Sequence, residues 1–113
     1  MAEHHGAIPG AGPTSLALYE KLLTALGSIG PFQEEIKKTS IHLVRKSAFL
    51  GVHPRKEHLL LTIKAQKTIR SSRISKAEQV SKSRWHLDLK LTQAEHIDAE
   101  LLRWIREAYE ICA

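Results

Sequence analysis

SIHLVRKSAFLGVHPRKEHLLLTIKA, residues 40–65, contains two segments in which every second residue is apolar and a third, Leu59 to Ala65, that is almost continuously apolar. A period of two is typical of a strand with one face buried. Polar breaks at Lys46-Ser47 and at residues 54–57 separate the segments, and such breaks are typical of turns. The stretch therefore predicts three antiparallel strands joined by hairpin turns.

The register of these strands can be predicted by counting residues across each turn. A two-residue turn at 46–47 places Leu43 opposite Leu50, and a four-residue turn at 54–57 places Leu50 opposite Leu61. Both turns bring the apolar side chains to the same face. We therefore expect one sheet with one apolar side.

Two flanking segments extend the sheet. Residues 32–36 fit either a short strand or one helical turn, and the extended form is the interpretation we favour. In the segment Trp85–Leu91 the apolar residues again alternate, which places His86 and Asp88 on the face away from the core. His42 is predicted to lie on the same face in its own strand. We expect four or five strands in total.

A helix is predicted at each end of the sheet. Apolar residues recur at helical spacing from Thr14 to Leu26, and Gly27 follows them. Near the end of the chain, Asp98 is suited to cap a helix whose apolar stripe includes Trp104. The sequence thus predicts a flexible tail over residues 1–13 and one α+β domain over residues 14–113, with an antiparallel sheet and the N-terminal and C-terminal helices packed on it.

Three segments in this order carry a resemblance: KKTSIHLVRKSAFLGVHPRKEHLLLTI, EQVSKSRWHLDLKL and IDAELLRWIREAYE. Over about residues 14–110 the chain resembles a bacterial family of domains of unknown function, family 5655. More distantly it is similar to the small α+β proteins of the YjbR or MmcQ type, whose fold is described as a double-wing, DNA-binding-like arrangement. The resemblance implies a fold and carries over no catalytic or ligand residues.

Composition limits the class of protein. The chain has 113 residues, which suits one core, and no apolar run approaches the length that crosses a bilayer. Its start resembles no secretory signal, so a cytoplasmic location is expected. Cys112 is the single cysteine, which excludes an internal disulfide. We find no motif typical of a catalytic mechanism and expect no cofactor, so a binding module is favoured over an enzyme, and a metal-dependent enzyme is the third possibility.

The positive charge is concentrated in one segment. Between residues 66 and 84 six Lys or Arg stand against Glu78 alone, and six minus one equals the net charge of +5 of the whole chain. We interpret residues 66–84 as a long basic loop that contacts nucleic-acid backbone, because clustered cations bind phosphates through counterion release. The predicted contacts, including two from the turn at 54–57, are Arg55, Lys56, Lys67, Arg70, Arg73, Lys76, Lys82 and Arg84.

Two other sites are considered beside this one. His53 and His58 face each other in the predicted register, but two imidazoles are too few for a metal centre, so no metal is predicted. Alternatively the domain is a protein-interaction or homodimerisation module that uses the exposed sheet face at Phe49 and Leu60, while the basic segment only keeps the protein solvated. No contact with a membrane is expected.

Overall fold

A computed structural model of the chain describes residues 11–112. Its helices and strands follow one another in the order α1 (Pro13–Leu26), β1 (Gln33–Ile36), β2 (Ile41–Val44), β3 (Ala48–Pro54), β4 (Leu59–Ala65), β5 (Ile74–Ser81), β6 (Arg84–Leu91), a 3₁₀ turn (Ala94–His96) and α2 (Ala99–Ile111). The predicted mixture of one antiparallel sheet with an N-terminal and a C-terminal helix is confirmed.

The sheet has six strands in the order β1-β2-β3-β4-β6-β5, and all neighbours are antiparallel. The predicted number of four or five strands is therefore wrong. The strand not recognised from the sequence is β5, which lies inside the segment interpreted as a loop. All of its residues after Ile74 are exposed, so it lacks the apolar alternation by which the other strands were found.

The predicted register is confirmed for one hairpin and wrong for the next. Leu43 lies opposite Leu50 as predicted. Between β3 and β4, however, Leu50 lies opposite Ile63 and not opposite Leu61. The strand β3 continues to Pro54, which is the partner of Leu59, and so the turn begins one residue later than predicted. A shift of two residues keeps the same side chains on the same face, which is why the apolar pattern did not detect it.

Both helices pack on the same side of the sheet. Leu22 of α1 and Ile105 of α2 are fully buried together with Leu43, Leu61 and Leu89 from the sheet. The odd-numbered positions of β4 and β6 face this core, and the even-numbered ones face the opposite side. One face of the sheet is therefore covered by helices, and the other, which we call the open face, is covered by no helix of residues 11–112.

The beginning of each helix is held by polar contacts. The Asp98 side chain accepts a hydrogen bond from the Leu101 amide at 3.0 Å, as the predicted cap requires. At the start of α1, the Ser15 hydroxyl accepts a hydrogen bond from the Gly12 amide at 2.9 Å. A Cβ at Gly12 would lie 2.5 Å from the Lys56 carbonyl oxygen, so this glycine permits α1 to begin against the turn after β3. Most of the predicted tail, residues 1–10, lies outside the described residues.

Candidate binding site on the open face of the sheet

A polar row crosses the open face of the sheet. The pairing of the strands places one residue from each of five strands side by side, and these are His42, Gly51, Thr62, Asp88 and Lys76 in spatial order. Side chains that are direct neighbours across strands lie close enough to act on one ligand. The outward-facing residues of neighbouring strands therefore form one continuous polar surface.

A pocket of about 450 Å³ lies over this row. Its volume falls within the range of small-molecule sites, roughly 300 to 1,000 Å³. We call it the open-face pocket, and it is lined by His42, Ala48, Phe49, Leu50, Gly51, His53, Thr62, Lys64, Lys76, Glu78, His86 and Asp88.

The floor of the open-face pocket is formed by Gly51 in the middle of β3. A Cβ at this position would lie 3.6 Å from Cβ of Thr62 and 3.7 Å from Nε2 of His53, both ordinary contacts. The backbone therefore does not demand a glycine here, and the missing side chain leaves space between His42 and Thr62. From the sequence, a mid-strand glycine indicates a bend or close packing more often than a ligand site, so this role was missed.

Thr62 and Asp88 form the fixed polar centre of the pocket. The Thr62 hydroxyl donates a hydrogen bond of 2.8 Å to Oδ1 of Asp88. Lys76 is the cross-strand neighbour of Asp88 on the other side, which places opposite charges side by side. The carboxylate is thus oriented from one strand and faces a cation from the other.

The surroundings of His53 favour its neutral form. Desolvation by burial lowers the pKa of His53, and the positive charge of Arg55 lowers it further, while Asp88 opposes both effects. A neutral imidazole offers one N–H donor and one acceptor nitrogen. At neutral pH His53 therefore contributes hydrogen-bonding groups to the pocket and no charge.

The predicted pairing of His53 with His58 is wrong. His53 lies opposite Leu60, since the register of this hairpin differs by two residues from the predicted one. His58 lies in the turn, where its carbonyl accepts a 2.8 Å hydrogen bond from the Arg55 amide. Within residues 11–112 no three His, Cys, Asp or Glu side chains are grouped so as to hold a metal ion.

Phe49 is not exposed as predicted. Its exposed fraction is 1%, and its ring makes edge-on contacts with Phe32 and Tyr109, at centroid distances of 5.8 and 5.1 Å. The pairing of β2 with β3 shifts after Leu43, and such a bulge changes the direction in which the next side chains point. Of the predicted interaction residues, Leu60 alone lies half-buried on the open face.

The predicted phosphate contacts occupy three separate places. Arg55 and Lys56 lie in the turn between β3 and β4, while Lys76, Lys82 and Arg84 belong to the hairpin of β5 and β6. The remaining three, Lys67, Arg70 and Arg73, lie in residues 66–73, which join β4 to β5. The structure therefore does not bring all eight cations together.

Residues 66–73 run along α2 on the helix side of the sheet. The strands β4 and β5 flank β6 and are both antiparallel to it, so the segment between them must pass from one end of the sheet to the other. On the way, Ile69 packs against the core, and Lys67 lines a cavity together with Trp104 and Glu107 of α2. This connection is thus separated from the open face by the sheet.

Arg73 is bound within the domain. Its guanidinium donates hydrogen bonds to Asp98 at 3.1 Å, to Glu100 at 3.0 Å and to the His96 carbonyl at 2.8 Å, and it lies 5.7 Å from the centre of the Trp104 ring. Burial acts to lower the pKa of Arg73, but the hydrogen bonds to the two carboxylates outweigh burial and raise it. These contacts fasten the crossing segment to α2.

The fold and the site define a class: a small α+β domain with two helices on one face of an antiparallel sheet and a polar pocket on the other. The chain belongs to the family described as Domain of unknown function (DUF5655), whose model matches residues 7–111. No match was found among curated proteins or among solved structures. Neither α1 nor α2, the two α-helices of residues 11–112, has the length and apolar character of a membrane span. The distant similarity to the YjbR or MmcQ type stays a prediction.

Proposed function

We propose that this domain is a binding module that contacts the phosphate backbone of a nucleic acid with the open face of its sheet. Lys64, Lys76, Lys82 and Arg84 supply the four charge-assisted contacts. One observation carries the proposal: the face that no described helix covers combines a pocket of about 450 Å³ with most of the cations of the sheet. A polyanion can reach these groups without any rearrangement of the core.

The charge on the two sides of the molecule supports this choice of face. On the open face and its β5–β6 hairpin, five cations stand against three carboxylates, a surplus of two; they are Lys64, Lys76, Lys82, Arg84 and Lys90 against Glu35, Glu78 and Asp88. On the helix side, α1, α2 and the connection 66–73 with its partner Asp98 give six cations against five carboxylates, a surplus of only one; they are Lys21, Lys67, Arg70, Arg73, Arg103 and Arg106 against Glu20, Asp98, Glu100, Glu107 and Glu110. Clustered positive charge attracts a polyanion to the open face first.

The pocket offers groups suited to sugar and phosphate oxygens. Neutral His53 and the hydroxyl of Thr62 are hydrogen-bonding groups without charge, and such groups commonly supplement Lys and Arg in backbone recognition. Phe49, the one phenyl, phenol or indole side chain in the lining of the pocket, has an exposed fraction of only 1%. Stacking of bases on an aromatic platform is therefore disfavoured, and backbone contact is the expected mode.

The proposal differs from the sequence-based hypothesis of a basic loop over residues 66–84. Arg73 is engaged by carboxylates of α2, and Lys67 lines a cavity on the helix side. The alternative was a protein contact at Phe49 and Leu60. Because Phe49 is buried, its ring does not reach the surface, and Leu60 is left as the one apolar residue of that contact. We therefore assign the binding role to the open face and its hairpin.

The test compares two double variants with the same change in charge. Lys64→Glu/Arg84→Glu alters the open face, and the control, Lys67→Glu/Arg70→Glu, alters the connection on the helix side. Binding to a fluorescent DNA duplex and to the matching single strand is measured by anisotropy over a range of salt concentrations. With about four phosphate contacts, the logarithm of the binding constant should fall with a slope of about −3.6 against the logarithm of salt. The open-face variant should reduce that slope by about 1.8.

The control variant should keep the slope of the parent protein, because its two side chains do not touch the ligand. Equal losses in both variants would overturn the assignment to the open face. An absence of binding to either probe at low salt would overturn the function itself. Binding that is insensitive to salt would do the same, since backbone contact requires the release of counterions.

A further inference from the structure

β5 (Ile74–Ser81) is an exposed edge strand. It pairs with β6 along one side, and along its other side no strand of residues 11–112 follows in the sheet. Apart from half-buried Ile74, its residues are exposed. A long edge presents unpaired backbone N–H and C=O groups, which are a template for another strand. The irregularities in its pairing with β6 lie near its two ends, at Ile74/Lys76 and Gln79/Ser81, and leave residues 76–79 regular.

We propose that two copies of this chain pair through β5. The strands run antiparallel about a two-fold axis at Ala77, and the two six-stranded sheets join into one continuous sheet. This inference rests on the edge strand and does not depend on the proposed binding of nucleic acid.

The charges of β5 fit such a pairing. A two-fold axis at Ala77 sets Lys76 of one copy opposite Glu78 of the second copy, and the same pair recurs on the other side of the axis. Lys76 and Glu78 both line the open-face pocket, so all four side chains lie on the same face of the joined sheet. Opposite charges in direct cross-strand positions stabilise a pairing, and like charges destabilise it.

Neighbouring registers do not have this complementarity. A two-fold axis perpendicular to the sheet leaves every side chain on the face where it already lies. An axis between two residues would set side chains from opposite faces against each other, so the axis must pass through a residue position. An axis at Lys76 would oppose two lysines, and an axis at Glu78 would oppose two glutamates. An axis at Gln79 would set Lys76 opposite Lys82. The charges therefore select Ala77 from these four positions.

An exposed apolar residue follows the regular segment of β5. Among the described residues, Val80 is one of two large hydrophobic side chains that are exposed, with an exposed fraction of 46%. A second copy paired along residues 76–79 lies beside this side chain and reduces its exposure to water.

The test is a charge exchange measured by sedimentation equilibrium without nucleic acid. The parent protein, of 12.7 kDa, should associate to twice that mass below about 1 mM. Lys76→Glu sets two glutamates against each other at both pairs and should weaken the dimer by roughly tenfold or more. The exchange Lys76→Glu/Glu78→Lys restores opposite charges between the copies and should recover the dimer.

The exchange separates pairing between copies from effects within one chain. Within one chain Lys76 neighbours Asp88, so a glutamate at position 76 repels that carboxylate whatever stands at position 78. Ala77→Lys provides a second test away from Asp88, because it brings two lysines together on the axis and should also dissociate the dimer. Circular dichroism of each variant checks the fold.

Three results would overturn the inference. The first is a parent protein that stays monomeric up to about 1 mM. The second is a charge exchange that folds but does not restore association. The third is a dimer that withstands Ala77→Lys. A monomer that still binds DNA would refute the pairing and leave the proposed function intact.

Discussion

Replacing Arg73 with alanine should destabilise the fold and leave binding on the open face intact. The guanidinium joins residues 66–73 to the beginning of α2 through Asp98, Glu100 and the carbonyl of His96. Without it, the segment that crosses the sheet keeps its apolar contact at Ile69 but loses its polar attachment. The variant tests whether Arg73 acts within the domain or on a ligand.

The expected loss can be estimated contact by contact. The Arg73 side chain has an exposed fraction of 24%, whereas Asp98 and Glu100 are exposed to 47% and 45%, so the ion pairs contribute at most about 1 kcal/mol together. The hydrogen bond to the His96 carbonyl adds about 1 kcal/mol. The contact with the Trp104 ring adds about 0.5 kcal/mol. We expect the free energy of unfolding to fall by about 2 kcal/mol.

Urea denaturation followed by tryptophan fluorescence measures this loss. Arg70→Ala is the matched control, since Arg70 lies in the same segment and is exposed, and it should change the free energy of unfolding by less than about 0.5 kcal/mol. A double-mutant cycle with Asp98→Ala should give a coupling energy of about 0.5 kcal/mol or more. Unchanged stability of Arg73→Ala, together with a loss of DNA binding, would refute the structural role and favour the basic-loop hypothesis.

Three further predictions concern the fold and its pH dependence. Gly30→Ala should lower the free energy of unfolding by about 2 kcal/mol or more, because Gly30 has a φ of 150° and a Cβ there would lie 2.5 Å from the Tyr109 hydroxyl. A thermal melt measures this loss, and the matched control Gly51→Ala, whose Cβ fits, should leave the melting temperature nearly unchanged. Phe49→Ala should lower the free energy of unfolding by about 3 to 5 kcal/mol, and a small loss would contradict its burial between two rings. Burial lowers the pKa of His53 in the folded protein, so the unfolded chain takes up a proton at this residue first as the pH falls. The free energy of unfolding should therefore decrease below about pH 6.5. His53→Gln should make that decrease smaller in denaturation curves recorded between about pH 5 and 8.

The alternation of apolar residues predicted most of the fold, and it did so where one face of a strand is buried. In such strands the apolar residues show which side chains face the core, and Leu43 and Leu50 are an example in β2 and β3. β5 has no buried face, so its sequence carries no such signal. The register of β3 with β4 could not be derived either, because a shift of two residues preserves the face and depends on where the turn begins.

The candidate site was predicted only in part, for a related reason. The alternation placed His42, His86 and Asp88 on one face, and they line the open-face pocket. It could not show that Gly51 leaves a space between them, because that space depends on which strands are neighbours. The partners of Arg73 lie about 25 residues away, at Asp98 and beyond, and a count of charges within one segment does not include such partners.

The two proposals make a joint prediction that neither makes alone. In the joined sheet both open faces lie on the same side, because the two-fold axis is perpendicular to the sheet. A duplex that spans both copies would then meet two sets of cations. The slope of the logarithm of the binding constant against the logarithm of salt should become steeper, from about −3.6 for one copy to about −7 for two. Ala77→Lys separates the copies and adds a cation, so on net charge alone it should bind DNA more tightly. If the copies act together, it should instead bind a long duplex more weakly, while its affinity for a short one is preserved, since linked sites gain from effective concentration. Tighter binding to both lengths would mean that the open face works as a single copy.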